Sequence, residues 1–172
     1  MRKQIVAGNW KMNTDKVEAQ EITSQVVEKL NSSNDTKVII APPFTQLDAV
    51  GKIINDQPMA LASQNVYHED KGAFTGEISI AMLKGLHVEY AIIGHSERRA
   101  IFNEDDHLLA LKVKKCIDEN ITPIFCVGEE LDDRKQNEHF SVVKKQLTKG
   151  LALLSPEMFN DLIVAYEPVW AI

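Results

Sequence analysis

Short apolar runs alternate with longer segments of helical periodicity along this 172-residue chain. The runs are rich in Val, Ile and Ala and contain few polar residues, which is typical of strands in a parallel sheet covered by helices. We predict six such strands, at residues 5–7, 38–41, 59–62, 90–93, 124–127 and 162–165. Between them, apolar residues recur at spacings of three and four, which predicts helices at residues 16–30, 47–54, 104–117 and 140–154.

The alternation of strands and helices predicts an α/β fold built from right-handed crossover units. A doubly wound sheet and a (β/α)8 barrel both fit this alternation. The first strand runs into Ala7-Gly8-Asn9-Trp10-Lys11 and not into Gly-x-Gly-x-x-Gly, so a dinucleotide-binding fold is less favoured. Because no linker or low-complexity segment interrupts the pattern, we expect residues 1–172 to form a single domain.

Composition narrows the classes of function. The chain is 44% hydrophobic and 26% charged, as is usual for a globular protein, and its net charge of −6 argues against nucleic-acid binding. No apolar run approaches membrane-spanning length, and the first run is too short for a signal peptide. Cys116 and Cys126 fit no metal or redox spacing, so we expect reduced thiols in a cytoplasmic protein.

Candidate chemistry follows the carboxyl ends of three predicted strands. Asn9 and Lys11 follow the first strand, His95 follows the fourth and Glu167 follows the sixth. Pro168 ends the last strand and favours an extended backbone at Glu167, so the carboxylate projects from the end of a rigid element. In a barrel, the carboxyl ends of the strands meet at one face, which would bring these side chains together.

Taken one at a time, these residues have commoner explanations. A single strand-end carboxylate or lysine is usually a surface charge, and a single histidine is more often structural. His95 and Glu97 resemble a metal-binding pair, but no third ligand has suitable spacing and we expect no metal. We interpret Arg98-Arg99 as a structural ion-pairing element and Glu129-Glu130 as a solvated helix entry.

Seven ordered stretches of the chain closely resemble the triosephosphate isomerase family. They are residues 7–13, 41–43, 64–65, 72–77, 93–99, 126–129 and 165–172. The resemblance implies a (β/α)8 TIM barrel. It also implies an isomerase that interconverts dihydroxyacetone phosphate and glyceraldehyde 3-phosphate through an enediol(ate), without a metal or organic cofactor.

The same resemblance assigns roles to the strand-end residues. Glu167 would be the base that moves a proton between adjacent carbons, and His95 would polarise the carbonyl and move protons between oxygens. Lys11 would supply positive charge to the phosphate and the enediolate, and Asn9 would orient the substrate. Cys126 would be a packed strand residue.

Supporting roles and partners are also implied. Ser96 and Glu97 fit a short helix that starts after His95, and in the family Glu97 bonds near Lys11. Thr75 belongs to a protruding loop, roughly residues 65–79, which in the family inserts into a twin subunit. The resemblance therefore implies a cytoplasmic homodimer that acts on a small phosphorylated triose in glycolysis and gluconeogenesis, without nucleic acid or membrane partners.

The predicted fold differs from a complete barrel, which has eight strand–helix units in about 250 residues. We predict about six units here, without the family's last strands and phosphate-binding loops. Open apolar strand edges promote association, so we expect this chain alone to associate or rearrange and to have little activity. Two other functions stay open: a barrel aldolase with Lys11 as Schiff-base lysine, or a non-catalytic barrel fragment that assembles with itself or a complementary piece.

Overall fold

The protein folds around one sheet of six parallel strands. A computed structural model describes residues 4–30 and 36–172 of the chain. The strands are β1 (Ile5–Asn9), β2 (Lys37–Ala41), β3 (Met59–Ser63), β4 (Tyr90–Ile93), β5 (Thr122–Val127) and β6 (Ile163–Tyr166). Each pairs with the next one along the chain, in the order β1-β2-β3-β4-β5-β6. A doubly wound sheet reverses its strand order part-way, so the six-unit barrel prediction is confirmed and the doubly wound alternative is wrong.

Helices connect the strands throughout the described ranges. They are α1 (Lys16–Lys29), α2 (Leu47–Ile54), α3 (Ile80–Lys84), α4 (Ser96–Ile101), α5 (Asp106–Asp118), α6 (Leu131–Lys135) and α7 (His139–Gly150). The four helices predicted from periodicity are confirmed as α1, α2, α5 and α7, and α4 begins directly after His95 as expected. The sequence pattern missed α3 and α6 because a five-residue helix is shorter than two turns and shows no repeat.

Local chemistry sets the ends of two predicted helices. Helix α5 begins at Asp106, two residues later than predicted, because the Asp105 side chain accepts the backbone N–H of Leu108 at 2.8 Å and caps the helix. Helix α7 ends at Gly150, earlier than predicted. A Cβ atom at position 150 would lie 2.3 Å from the Phe125 ring, so only glycine allows this close approach of helix and sheet.

Alternate residues along the strands build two apolar layers, one on each face of the sheet. In the outer layer, strand residues such as Ile40, Ile93 and Phe125 pack against helix residues such as Val50 and Val113. The buried residues of the inner layer come from strands alone: Ile39, Ala41, Ala60, Ala62, Ile92 and Ile124. Because these side chains contact one another across the sheet, the sheet curls into a half-barrel with helices outside.

Strands β1 and β6 form the two edges of this sheet, and each pairs along one side within the described ranges. Val6 on β1 is 61% exposed and Val164 on β6 is 47% exposed. The expectation of covered strands therefore holds for β2 to β5 and is wrong for the two edges, which have one neighbour instead of two. Among the helices of the described residues, none is both long and apolar enough to cross a bilayer.

The outer layer should dominate stability, and Phe125 tests this. Its ring is fully buried between the sheet and α7. We expect Phe125→Ala to lower the free energy of unfolding by about 3–5 kcal/mol, since it removes apolar contacts and leaves a cavity. The matched variant Phe140→Ala, at a side chain that is 80% exposed, should change it by less than about 0.5 kcal/mol. Equal effects of the two variants in urea unfolding would contradict this account.

Candidate active site

Asn9 is the last residue of β1, which runs two residues further than predicted, and Lys11 lies in the turn that follows. The Asn9 Oδ1 atom accepts the backbone N–H of Lys11 at 3.0 Å. Lys11 has a φ of +54°, a left-handed conformation that is uncommon for residues with a side chain. Gln64, just beyond β3, donates its Nε2 to the carbonyl oxygens of Lys11 and Ala41, both at 2.9 Å. These bonds fix the turn, so the Lys11 side chain starts from a defined backbone.

The Lys11 side chain extends to helix α4. Its Nζ lies 2.9 Å from the Oε1 of Glu97, and both side chains are partly exposed. Pairs of this exposure contribute little to stability because water screens them. The contact instead orients the ammonium group beside the start of α4.

His95 follows β4 and caps α4. Its Nδ1 accepts the backbone N–H of Glu97 at 3.3 Å, and the residue is largely buried. An Nδ1 that accepts carries no proton, so the ring's proton sits on Nε2. The Glu97 Oε2 lies 3.5 Å from the same Nδ1. That contact would be an ion pair only in the imidazolium form. The cap therefore leaves Nε2 as the ring nitrogen that can donate to a ligand.

Two neighbouring cavities collect the strand-end residues. Asn9, Lys11, His95 and Glu97 line one cavity of about 300 Å³. Glu167 lines a second cavity of about 240 Å³ together with Ser96. Since His95 and Ser96 are consecutive, the two cavities flank the start of α4. A cation, an imidazole and a carboxylate therefore lie at one end of the sheet, with Glu167 on the cavity of Ser96 and the other two on the cavity of Asn9 and Glu97.

Comparison with known proteins decides the family. The family model of triosephosphate isomerase matches residues 4–172. The chain belongs to the triosephosphate isomerase family. Triosephosphate isomerases from Alkaliphilus oremlandii and Flavobacterium johnsoniae are 45% and 44% identical to all 172 residues of the chain, which cover 69% of each relative. A triosephosphate isomerase from Cytophaga hutchinsonii is 46% identical over 174 aligned positions and is covered to the same extent.

Thr75, which the family resemblance assigns to the protruding loop, lies apart from both cavities. It is exposed in the segment between β3 and α3 and is not among the described residues that line either cavity. The segment folds back on itself, because the Tyr67 N–H donates to Ile78 O at 2.8 Å and the rings of Tyr67 and Phe74 lie 4.7 Å apart. Thr75 is therefore presented at the surface of a compact projection.

A buried charge cluster behind the site was missed by sequence reasoning. Lys112, on α5, places its Nζ 2.6 Å from Glu104 Oε1 and 2.8 Å from Asn65 Oδ1. Arg98 Nε donates to the same Glu104 oxygen at 2.8 Å. Burial lowers the pKa of Lys112, and the hydrogen bond and charge of Glu104 oppose that shift. The cluster ties α4 and α5 to the segment that follows β3.

Arg99 extends this support to the next strand. Its Nη1 lies 2.7 Å from Asp106 Oδ1, its Nε donates to the Gly94 carbonyl at 2.8 Å, and its Nη2 donates to the Cys126 carbonyl on β5 at 3.3 Å. The interpretation of Arg98-Arg99 as a structural ion-pairing element is therefore confirmed.

Glu129 is wholly buried, so its interpretation as part of a solvated helix entry was wrong. The carboxylate accepts hydrogen bonds from the Tyr166 hydroxyl at 3.1 Å and from Trp170 Nε1 at 3.2 Å. Burial acts to raise the pKa of Glu129. Hydrogen bonds from its own backbone, Trp170 and Tyr166, with the charge of Arg134, outweigh burial and lower the pKa. Glu129 thus holds Tyr166 and Trp170, which lie on either side of Glu167 and are 37 and 41 positions from Glu129 in the sequence.

Cys126 lies beside Glu167 but is not a nucleophile. Burial raises the pKa of its thiol to about 12, with a further contribution from the negative charge of Glu167 that Arg99 opposes. The thiol is therefore protonated near neutral pH, and the prediction of a packed strand residue is confirmed.

The buried cluster gives a stability test. In Lys112→Met, Glu104 keeps Arg98 but loses its shortest contact, and Asn65 loses its donor. We expect the free energy of unfolding to fall by about 3 kcal/mol, since a buried charge is left poorly compensated. Lys52→Met removes a comparable pair with Asp48 at 2.6 Å on the surface and should cost less than about 0.5 kcal/mol. Thermal or urea unfolding of the two variants measures the difference, and equal costs would show that the cluster does not stabilise the site.

Proposed function

We propose that this protein interconverts dihydroxyacetone phosphate and glyceraldehyde 3-phosphate. The observation that carries the proposal is the shared cavity of Asn9, Lys11, His95 and Glu97, with the Glu167 carboxylate lining the cavity next to it. Membership of the triosephosphate isomerase family over residues 4–172 supports the choice of reaction and substrate.

The proposed chemistry is a proton transfer between neighbouring carbons. The Glu167 carboxylate removes a proton from the carbon next to the substrate carbonyl, which leaves an enediolate, and then returns the proton to the other carbon. His95 donates its Nε2–H to the carbonyl oxygen while negative charge develops there, and it then takes the proton of the neighbouring hydroxyl as that oxygen becomes the new carbonyl. The bond from the Glu97 N–H to His95 Nδ1 supports this role, because it keeps the proton on the nitrogen that is free to donate.

Lys11 and Asn9 complete the proposed site. The Lys11 ammonium balances the phosphate and the enediolate, and Asn9 orients the substrate. The same geometry makes the aldolase alternative less favourable. A Schiff-base lysine needs an amine that is free to attack a carbonyl, whereas the Nζ of Lys11 is paired with the Glu97 carboxylate at 2.9 Å.

We further propose that the protein works as a cytoplasmic homodimer in glycolysis and gluconeogenesis. Both cysteines are free thiols, which suits a reducing compartment. Large apolar side chains surround the cavity that contains Lys11 and extend along the projecting loop. Met12 is 96% exposed, and Phe74 and Phe102 are also exposed, so a subunit contact here would cover apolar surface.

Glu167→Gln tests the proposed base. The amide has nearly the same shape but cannot accept the substrate proton, so we expect kcat to fall by about 100- to 10,000-fold. Activity is measured in a coupled assay with glyceraldehyde 3-phosphate. The control Glu28→Gln changes an exposed carboxylate on α1 and should keep normal activity. Activity that survives Glu167→Gln would exclude Glu167 as the base.

If the parent protein shows no more activity than Glu167→Gln, the second candidate function is favoured. In that function the chain is a part of a barrel that requires further strands. The exposed edges of β1 and β6 favour this candidate specifically, because in the described ranges Val6 and Val164 have a neighbouring strand on one side only. Adding a separate polypeptide that corresponds to the last third of the relatives should then produce activity. Failure to gain activity or solubility would exclude complementation.

The subunit contact is tested by Phe74→Asp. A charge on the projecting loop should be too costly to bury, so we expect the variant to sediment as a monomer while the parent protein sediments as a dimer. The matched control Phe140→Asp introduces the same charge at another exposed aromatic position and should stay dimeric. A monomeric parent protein would overturn the proposal. Association that survives Phe74→Asp but not Val164→Asp would assign it to the sheet edge instead.

A further inference from the structure

Gln146, on α7, forms a paired contact with both backbone groups of one residue at the sheet rim, Gly128. Its Nε2 donates to the carbonyl oxygen of Gly128 at 2.9 Å, and its Oε1 accepts the N–H of the same residue at 2.9 Å. The side chain is half-buried. An amide is the neutral side chain that can both donate and accept in this way, so the contact fixes both the position and the orientation of Gly128.

Gly128 in turn lies directly against the backbone of Glu167. A Cβ atom at position 128 would lie 1.9 Å from the carbonyl oxygen of Glu167 and 2.9 Å from its carbonyl carbon. The flanking residues hold the same segment by hydrogen bonds. Glu167 N–H donates to Val127 O at 2.9 Å, and Val169 N–H donates to Glu129 O at 3.0 Å. Any displacement of Gly128 therefore moves the surface on which Glu167 rests.

Gln146 and Gly128 also line the 240 Å³ cavity that contains Glu167. We propose that Gln146 is a positioning residue for Glu167. Its amide fixes the Gly128 peptide, and this peptide fixes the backbone from which the Glu167 carboxylate projects. The catalytic consequence rests on the proposed function, in which Glu167 is the base; the mechanical consequence does not.

Gln146→Met separates the hydrogen bonds from the packing. Methionine has a similar length and helix propensity, but it cannot donate to or strongly accept from Gly128. The Glu167 and Val169 amides should then lose protection against hydrogen exchange by about tenfold, while the Phe125 amide in the core should keep its protection. Gln25→Met makes the same change at an exposed position of α1 and should alter neither group of amides.

Activity supplies the second measurement. A misplacement of the base by a fraction of an ångström should lower kcat by about 10- to 100-fold and change KM for glyceraldehyde 3-phosphate by less than about threefold. If Gln146 had only a structural role, Gln146→Met would lower the protection of all three amides together. It would also reduce the fraction of protein that is active, without this contrast between kcat and KM. Unchanged exchange at Glu167 and Val169 would overturn the proposal, whether or not the chain is active.

The two proposals fail in different ways. If Glu167→Gln leaves activity intact, the proposed function fails, and the exchange data still decide whether Gln146 holds the segment. If Glu167→Gln abolishes activity but Gln146→Met leaves kcat unchanged, positioning by Gln146 is wrong while the base assignment holds.

Discussion

Consecutive strands of this sheet run in the same direction, and this parallel pairing determines where its chemistry can lie. Asn9 pairs in register with Ala41, and Val127 with Tyr166, so the carboxyl ends of the strands form one rim. The parallel pairing alone therefore brings Asn9 and Glu167, which are more than 150 positions apart, to the same rim. The strand residues form the packed core, and the residues that follow the strands are therefore available for catalysis or binding.

The rim would be mobile if only the strands held it, because Lys11, His95 and Glu167 lie beyond the ends of their strands. Buried polar groups replace the ladder there. Glu104 accepts hydrogen bonds from Lys112 and Arg98, and Glu129 accepts hydrogen bonds from Tyr166 and Trp170. Burying a carboxylate is costly unless donors compensate it. Glu129 is held through both of its oxygens, whereas Lys112 and Arg98 both donate to Oε1 of Glu104, and the buried Oε2 has no partner among the described residues. The same donors that stabilise the carboxylates connect α4, α5 and the segment around Glu167 to the sheet.

Much of the fold and the strand-end residues could be predicted from sequence because their signals are local. A continuous apolar run, an aspartate before a helix and a proline after Glu167 each act within a few residues. Lys112 and Glu129 could not be assigned in this way. A lysine in a helical pattern is read as a surface residue, and its burial depends on Asn65, which lies 47 positions away. Glu129 likewise depends on partners 37 and 41 residues further along the chain. The separation of Glu167 from the cavity of His95 depends on the path of α4, which sequence spacing does not specify.

Side-chain amides hold the rim at two separate points. Gln64 donates to the carbonyl groups of Lys11 and Ala41, where Lys11 has a positive φ, and Gln146 pairs with the Gly128 peptide beside Glu167. Both amides are neutral, so they satisfy backbone groups without adding a charge next to Lys11 or Glu167. A charged side chain in either position would also alter the field at the proposed site. Neutral amides therefore fix the backbone without changing the charge of the two cavities, which is the condition for accurate placement of a cation after β1 and a base after β6.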